Sequence, residues 1–119
     1  MPTILDITEI SASLRQFTNE RNWNQFHSPK NLSMALCVEA SELLEHFQWS
    51  TEQQSLSLTK DKLAEVETEI ADVLIYLIRI SDVLNIDLDK AVKSKMKLNA
   101  QKYPSDKVYG SSKKYTEYE

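Results

Sequence analysis

The sequence predicts an all-α fold, a four-helix bundle-like protomer, and three observations support this prediction. The chain has one Gly and three Pro in 119 residues, whereas hairpins and sandwiches use Gly at turn positions with positive φ. Apolar residues recur at helical spacing in several segments. Residues that favour helix starts precede those segments. We predict one domain over residues 1–104, a length typical of a single domain, followed by a flexible C-terminal tail over residues 105–119.

The first two predicted helices are defined by apolar periodicity and by a start signal. The first segment has apolar residues spaced three, four and three apart, at Ile7, Ile10, Leu14 and Phe17. This spacing predicts an amphipathic helix from about Asp6 to Asn19. Further on, Ser28 is followed by Pro29, which combines a favoured N-cap with the residue favoured at the first helical position. The second helix is therefore predicted from Pro29 to about Gln48.

A polar loop precedes the third predicted helix. The segment STEQQSLSLT, residues 50–59, has no period and is predicted as a loop. A helix should run from about Thr59 to Leu84, with Asn85 as its stop. The run Val73–Ile80 is rich in β-branched residues and, taken alone, could form a buried strand. The unbroken length of about 26 residues favours a helix instead.

The fourth helix and the length of the third complete the predicted protomer. Asp87 is a good N-cap for the segment LDKAVKSKMKLNAQK. This helix should stop before Tyr103-Pro104, because proline disfavours helical backbone at the preceding residue. The third helix would be about 39 Å long at about 1.5 Å per residue, slightly longer than a compact domain of this size. That length predicts an oligomer.

Composition narrows the class of protein. The net charge is −4, which disfavours a duplex nucleic-acid partner that needs a broad basic surface. The segment from Lys90 to the end is nevertheless basic, with eight lysines and three acids, and a solvated helix face explains most of those lysines. No signal peptide and no run of about 20 apolar residues is present, so no membrane partner is expected.

The single cysteine bears on both compartment and packing. Cys37 has no partner for an internal disulfide, which is typical of a reducing cytoplasm. On a helical wheel it lies opposite the face that contains Glu39, together with Met34 and Leu44. The second helix is therefore apolar nearly all round, and we predict that it is buried on two sides, with Cys37 as a small core residue.

Acidic residues occur on the apolar faces of the second and third helices. Glu39 and Glu42 share an arc with apolar residues of the second helix, namely Leu32, Ala35, Leu36 and Leu43. Glu69 and Asp72 share a face with apolar and aromatic residues of the third helix, namely Val66, Val73, Tyr76 and Ile80. Glu65 also lies on that face, so spacing alone does not choose between Glu65 and Glu69.

Four carboxylates converging between two helices need positive charge, because desolvating even one isolated ion is costly. Lysine or arginine partners, protonation, or a hard cation could supply it. All-oxygen ligation favours magnesium or manganese over zinc, and magnesium commonly shares its coordination with substrate phosphates. The alternative is that these are surface acids paired with neighbouring lysines.

The acidic motifs resemble those of a known family. The segment EASE, Glu39–Glu42, and the later segment EIAD, Glu69–Asp72, resemble the E-x-x-E and E-x-x-D signature of the all-α nucleoside triphosphate pyrophosphohydrolases related to MazG. The segments ERNWNQFHSPKNL, ELLEHFQW, ADVLIYL and SKMKLNAQKYP are similar to the dCTP pyrophosphatase branch, so the resemblance covers roughly residues 7–104. Val38 stands where many relatives have a further Glu, a departure that the dCTP-like branch shares.

The resemblance implies a function and a ligand set. It implies magnesium-dependent cleavage of a nucleoside triphosphate, dCTP-like, to monophosphate and pyrophosphate, which serves nucleotide pool clean-up. It also implies a homodimer or homotetramer, with Glu39, Glu42, Glu69 and Asp72 as metal ligands. The alternative is a catalytically inactive helical module that binds nucleotide or another protein.

Further candidates surround these acids. Glu45 follows Glu42 on the same helix and could orient or deprotonate the attacking water, or only support its neighbours. The resemblance implies phosphate binding along the fourth helix and at its end, by Lys95, Asn99, Lys102 and Tyr103. Aromatic residues and a histidine are candidates for contacting the base, namely Trp23, His27, Trp49 and Tyr76. Core packing is the other explanation for any one of them.

Overall fold

The computed structural model describes residues 4–112 and residue 116, and all regular secondary structure in this part of the chain is helical. The helices are α1 (Ile7–Glu20), α2 (Pro29–Glu45), α3 (Glu52–Ser55), α4 (Lys60–Val83), α5 (Leu88–Lys102) and α6 (Ser105–Val108), with a 3-10 turn at Asn24–Phe26. The four long helices are the four predicted ones, and the all-α fold is confirmed.

Local hydrogen bonds at the helix ends explain why these boundaries were predictable. The Ser28 side chain accepts a hydrogen bond from the Asn31 backbone N–H at 3.1 Å, and Pro29 takes the first helical position of α2. Asp87 caps α5 in the same way, through the Lys90 N–H at 3.1 Å. Asn85, with φ of 56°, follows the end of α4 in the left-handed conformation that asparagine tolerates.

Three short segments differ from the prediction. α2 ends at Glu45 and not at Gln48, because the chain continues in turns, with the Phe47 N–H donating to Leu44 O at 2.9 Å. The predicted loop 50–59 contains α3, which is stabilised by a capping box between Thr51 and Gln54. The predicted tail contains the one-turn helix α6. The division of the chain at residue 104 stays a prediction.

The core lies where α4 packs against α2 and, to a smaller extent, against α1. Leu32 of α2 and Ile78 of α4 are fully buried, and Val66 of α4 is buried with them. Arg79, beside Ile78, is also buried and therefore needs polar partners inside the protein. The face of α2 that was predicted to contact the core does so.

The opposite side of α2 was predicted to be buried, and this prediction is wrong. Cys37 is exposed and is not a core residue. Met34, Val38 and Leu44 on the same helix are each more than half exposed. The reason is that α2 packs mainly against α4, through the face that contains Leu32.

The chain divides into two compact units, the first ending at Asn85 and the second beginning at Ile86. The first unit contains α1 to α4 and the core. The second contains α5 and α6, and every residue of α5 after Leu88 is exposed. None of the described helices is both long enough and apolar enough to cross a membrane.

Truncation of a core leucine should destabilise the protein far more than truncation of a surface leucine. Leu32 is 2% exposed and Leu56 is 82% exposed. Leu32→Ala should lower the free energy of unfolding by about 2–5 kcal/mol, because it removes buried methyl groups and leaves a cavity. Leu56→Ala, the matched control, should change it by less than about 0.5 kcal/mol. Urea unfolding followed by circular dichroism measures both, and equal losses would contradict the described core.

Candidate active site

The packing of α2 against α4 brings acidic side chains from both helices to one point. Glu39 and Glu42 are three residues apart on α2, and Glu69 and Asp72 are three residues apart on α4, so each pair lies on one helix face. Carboxylate oxygens of Glu39, Glu69 and Asp72 all lie within 4.8 Å of one another, and each of these residues is half-buried. We call these three residues and Glu42 the acidic cluster.

Glu42 is the fourth member because it interacts with carboxylates on both helices. Its side chain lies within hydrogen-bonding reach of Glu39 and of Glu69. Two carboxyl groups can share such a hydrogen bond only when one of them holds a proton. The arrangement without a cation therefore favours a proton on Glu39 or Glu69.

Two members of the cluster, Glu39 and Glu69, have raised pKa values. The pKa of Glu39 is raised to about 7, mainly by desolvation. The hydrogen bond and charge of Glu42 and the charge of Asp72 contribute further to this increase. Desolvation and the same two neighbours also raise the pKa of Glu69, while nearby His46 acts in the opposite direction. Both shifts report that negative charge at this point lacks compensation.

The donor set fits a hard divalent cation. Oε2 of Glu39 and Oε2 of Glu69 are buried and accept no hydrogen bond from any residue that the structure describes. Buried acceptors of this kind are rare unless a ligand or ion satisfies them. All ligand atoms in the cluster are carboxylate oxygens, which Mg²⁺ and Mn²⁺ prefer over thiolate or imidazole donors.

Glu65, the alternative to Glu69 that spacing left open, lies outside the cluster. Its Oε2 is 3.7 Å from Lys62 Nζ and 3.8 Å from His46 Nδ1, and its side chain is 61% exposed. Glu65 therefore has cationic partners and access to water. Glu69 has no lysine within ion-pair distance among the described residues, and it is half-buried.

A pocket of about 110 Å³ lies between α1, the segment around the 3-10 turn, and α4. Its walls are mostly apolar or aromatic, and they are formed by Leu14, Phe17, Thr18, Trp23, His27, Ile75, Tyr76 and Arg79. A cavity of about 150 Å³ holds benzene, so this volume suits one planar ring and not a whole nucleotide. We call it the ring pocket.

The ring pocket lies close to the acidic cluster along α4. Asp72 of the cluster and Tyr76 of the pocket are four residues apart on this helix. They therefore share a face and are separated by about 6 Å along the helix axis. A ligand with an aromatic ring and an anionic chain can span both.

Three of the four predicted base-contacting residues line the ring pocket, and one does not. Trp23 and Tyr76 contribute aromatic surface, and the Trp23 ring packs edge-on against Phe17, with centroids 5.6 Å apart. His27 lines the same pocket. Trp49 follows α2, is 89% exposed, and is absent from the pocket lining.

The remaining predicted site residues are exposed. Glu45 is exposed at the last position of α2. Lys95 and Asn99 are exposed and one turn apart on α5, in the second unit, and Lys102 and Tyr103 end that helix. Their predicted roles toward phosphate stay predictions.

The sequence prediction missed Arg79, which lines the ring pocket, and Asn24, which is its hydrogen-bond partner. The Arg79 guanidinium donates from Nε to His27 Nδ1 at 3.1 Å and from Nη2 to Asn24 Oδ1 at 2.9 Å. Its Nη1 is 3.5 Å from Asp82 Oδ2, which also pairs with Arg15 at 2.9 Å. The available signal was a lone arginine inside the apolar run LIYLIRI, since a buried arginine requires partners.

Comparison with known proteins fits this geometry. The model of the MazG-like family matches residues 34–118. The chain belongs to the MazG-like family. It is 42% identical over 118 residues to dCTP pyrophosphatase 1 of Homo sapiens and equally to that of Mus musculus, covering 98% of this chain and 68% of each relative.

A solved relative supports the fold of this MazG-like chain. A pyrophosphatase from Archaeoglobus fulgidus, known from a crystal structure, superposes with a TM-score of 0.79 at 41% sequence identity. The match covers 87% of this chain and 97% of the archaeal one. The predicted membership of the family is thus confirmed.

The raised pKa of Glu39 predicts how acidity affects stability in metal-free buffer. Between about 4.5, the ordinary value, and about 7, the folded value, Glu39 is ionised mainly in the unfolded state. Unfolding is therefore favoured increasingly as the pH rises through this window, and the penalty persists above it. Glu39→Gln removes the ionisation, so the variant should gain stability relative to the wild-type chain as the pH rises.

Urea unfolding of both proteins in the presence of a chelator, at a series of pH values across that window, measures this difference. His27 is present in both proteins, so its own titration cancels in the comparison. A stability difference that stays constant across the window would show that Glu39 is not held in a desolvated, like-charged environment.

Proposed function

We propose that the protein is a magnesium-dependent nucleoside triphosphate pyrophosphohydrolase that acts on dCTP-like substrates. The observation that carries the proposal is the acidic cluster between α2 and α4, with its unsatisfied buried oxygens, one helical turn from the ring pocket. The mammalian relatives and the archaeal protein are all named as pyrophosphatases, which supports the same reaction. The products are a nucleoside monophosphate and pyrophosphate, and the reaction serves to clear unwanted nucleotides.

The substrate binds with its base in the ring pocket and its phosphates toward the acidic cluster. Trp23 and Tyr76 provide faces for stacking, and aromatic stacking is worth about 1–3 kcal/mol per base. The spacing of Asp72 and Tyr76 along α4 sets the distance between the two subsites. Trp49, which is exposed in the free protein, is a further aromatic contact for the base.

The acidic cluster holds the cation. Glu39, Glu42, Glu69 and Asp72 supply oxygen ligands from two helices, with Mg²⁺ as the ion and Mn²⁺ as a substitute. When bound, the ion polarises the α phosphate and offsets negative charge on the departing pyrophosphate. The helices fix the carboxylates in advance, so little reorganisation is needed on binding.

Residues outside the cluster complete the reaction. Glu45, one turn beyond Glu42 on α2, takes the proton from the attacking water. Lys95, Asn99, Lys102 and Tyr103 bind the phosphates, as the family resemblance implies. The protein works as a homodimer or homotetramer in the cytoplasm, and further copies cover the exposed apolar side of α2.

Removal of one cluster carboxylate should abolish turnover, whereas removal of a nearby carboxylate outside the cluster should not. Glu69→Gln should lower the rate of pyrophosphate release from dCTP by about 100-fold or more, because charge stabilisation by a bound ion is worth several kcal/mol. Glu65→Gln and Glu67→Gln are matched controls, since both residues are exposed on the same helix. Their rates should stay within about threefold of wild type, the change expected of a peripheral charge.

Pyrophosphate release is measured with each natural deoxynucleoside triphosphate, with magnesium, with manganese, and after chelation. Activity should disappear with chelator and return with either ion. Release of single phosphates, or undiminished activity of Glu69→Gln, would overturn the proposal. Tight nucleotide binding with no turnover by the wild-type chain would favour the inactive binding module instead.

Glu45→Gln tests the assignment of the proton acceptor. A lost general base lowers kcat by about 100-fold or more and leaves KM nearly unchanged, because the side chain acts on water and not on the substrate. A normal kcat would assign Glu45 a supporting role only.

A further inference from the structure

A directed chain of hydrogen bonds includes two residues of the ring pocket wall, His27 and Arg79. Asn24 Nδ2 donates to Asn19 Oδ1, which leaves Asn24 Oδ1 as an acceptor. Arg79 Nη2 donates to that oxygen at 2.9 Å, and Arg79 Nε donates to His27 Nδ1 at 3.1 Å. The donor direction is therefore fixed from Arg79 outward, because a guanidinium can only donate.

This direction determines the proton position on His27. A neutral imidazole has one nitrogen that donates and one that accepts. Nδ1 accepts from Arg79, so the proton of neutral His27 is on Nε2. The imidazole stays neutral because burial, with the positive charge of Arg79 beside it, lowers the pKa of His27.

Arg79 is well suited to holding the imidazole in this state. It is 7% exposed and its charge is balanced by Asp82, so it is a fixed part of the protein interior. Its planar fork reaches two acceptors at once, on His27 and on Asn24, which a lysine ammonium on a flexible stem does not reproduce. The two acceptors lie on the segment after α1, 52 and 55 residues away in sequence.

We propose that Arg79 is a positioning residue which locks His27 as an Nε2–H donor, so that the ring pocket selects planar rings with a lone-pair acceptor on the edge facing His27. This inference rests on the proposed function for the identity of the ring, a pyrimidine base of a nucleotide. A pyrimidine offers such acceptors at its ring nitrogen and its carbonyl oxygen. The pocket therefore recognises an acceptor on cytosine and not its exocyclic amine.

The first test reads the proton position directly, without nucleotide or metal. Long-range ¹H–¹⁵N spectra distinguish Nε2–H from Nδ1–H imidazole, and the chain has two histidines, His27 and His46. Loss of one set of signals in His27→Gln assigns His27. We expect Nε2–H in the wild-type protein and a mixture of tautomers or added protonation in Arg79→Met. An Nδ1–H imidazole in the wild-type protein would overturn the proposal.

The second test separates positioning from general stability. Arg79→Met should raise KM for dCTP by about three- to tenfold, as expected for one lost hydrogen bond, with kcat changed by less than about twofold. In a His27→Gln background, where the amide nitrogen donates without needing a fixed tautomer, the same substitution should have a much smaller effect. Equal effects in both backgrounds would mean that Arg79 only supports the fold.

Control variants cover the possibility of misfolding. Arg15→Met removes the other cation that pairs with Asp82 and has no contact with His27, so it should leave KM unchanged. If Arg79→Met does not fold, Arg79→Lys, which keeps a positive charge beside Asp82, takes its place in both tests. An increase in KM for Arg15→Met equal to that for Arg79→Met would overturn the proposal.

The third test identifies the edge of the ring that is read. The triphosphate of 2′-deoxyribosyl-pyrimidin-2-one lacks the exocyclic amine of dCTP and keeps its acceptors. The penalty for Arg79→Met should be the same with both substrates. A penalty seen with dCTP alone would mean that His27 accepts from the amine, which contradicts the proposal.

A binding experiment distinguishes failure of the proposed function from failure of the inference about Arg79. If the wild-type protein hydrolyses no triphosphate, binding of 2′-deoxycytidine, followed by the fluorescence of Trp23 in a Trp49→Phe variant, replaces KM in the same comparisons. The proton position in the free protein is also independent of turnover. Absent hydrolysis with an intact effect of Arg79 would overturn only the enzymatic assignment.

Discussion

Repulsion among four carboxylates between α2 and α4 is the constraint on which the rest of the structure depends. The two helices pack through Leu32, Val66 and Ile78, and the same contact faces carry the acids. Apolar burial thus holds like charges together that would separate in water. A cation, or protons in its absence, has to satisfy the oxygens that Glu39 and Glu69 leave without hydrogen bonds.

The ring pocket obtains its position from the same helix. α4 contributes acids to the cluster and, within the next two turns, Ile75, Tyr76 and Arg79 to the pocket. One rigid element therefore sets the separation between the site for a cation and the site for a ring. Because α4 is continuous over 24 residues, this separation does not depend on a loop conformation.

The features that could be predicted from the sequence mostly depend on residues that are close together in the chain. Ser28, Thr59 and Asp87 each cap the helix they precede through a hydrogen bond three residues away, so a single chain segment contains the whole signal. The capping box at Thr51 and Gln54 was equally local and was overlooked because the surrounding residues have no apolar period. The helical wheel placed the acids on the face of α2 that contacts α4, because a regular helix fixes the direction of every side chain.

Features that depend on distant packing could not be predicted in this way. The contact between Arg79 and His27 joins residues 52 positions apart, and no spacing rule brings them together. The choice of Glu69 over Glu65 depends on which rotation of α4 faces α2, and spacing alone left it open. The exposure of Cys37 depends on which side of α2 packs against α4, and an apolar pattern on both sides does not reveal this.

That open side of α2 affects how the protein's stability must be interpreted. Met34, Val38 and Leu44 leave apolar surface in water that contributes nothing to the folding of a single chain. Wherever a second copy covers this surface, association and folding become linked equilibria. The melting temperature then rises with protein concentration. A single melting temperature therefore applies only to the concentration at which it was measured.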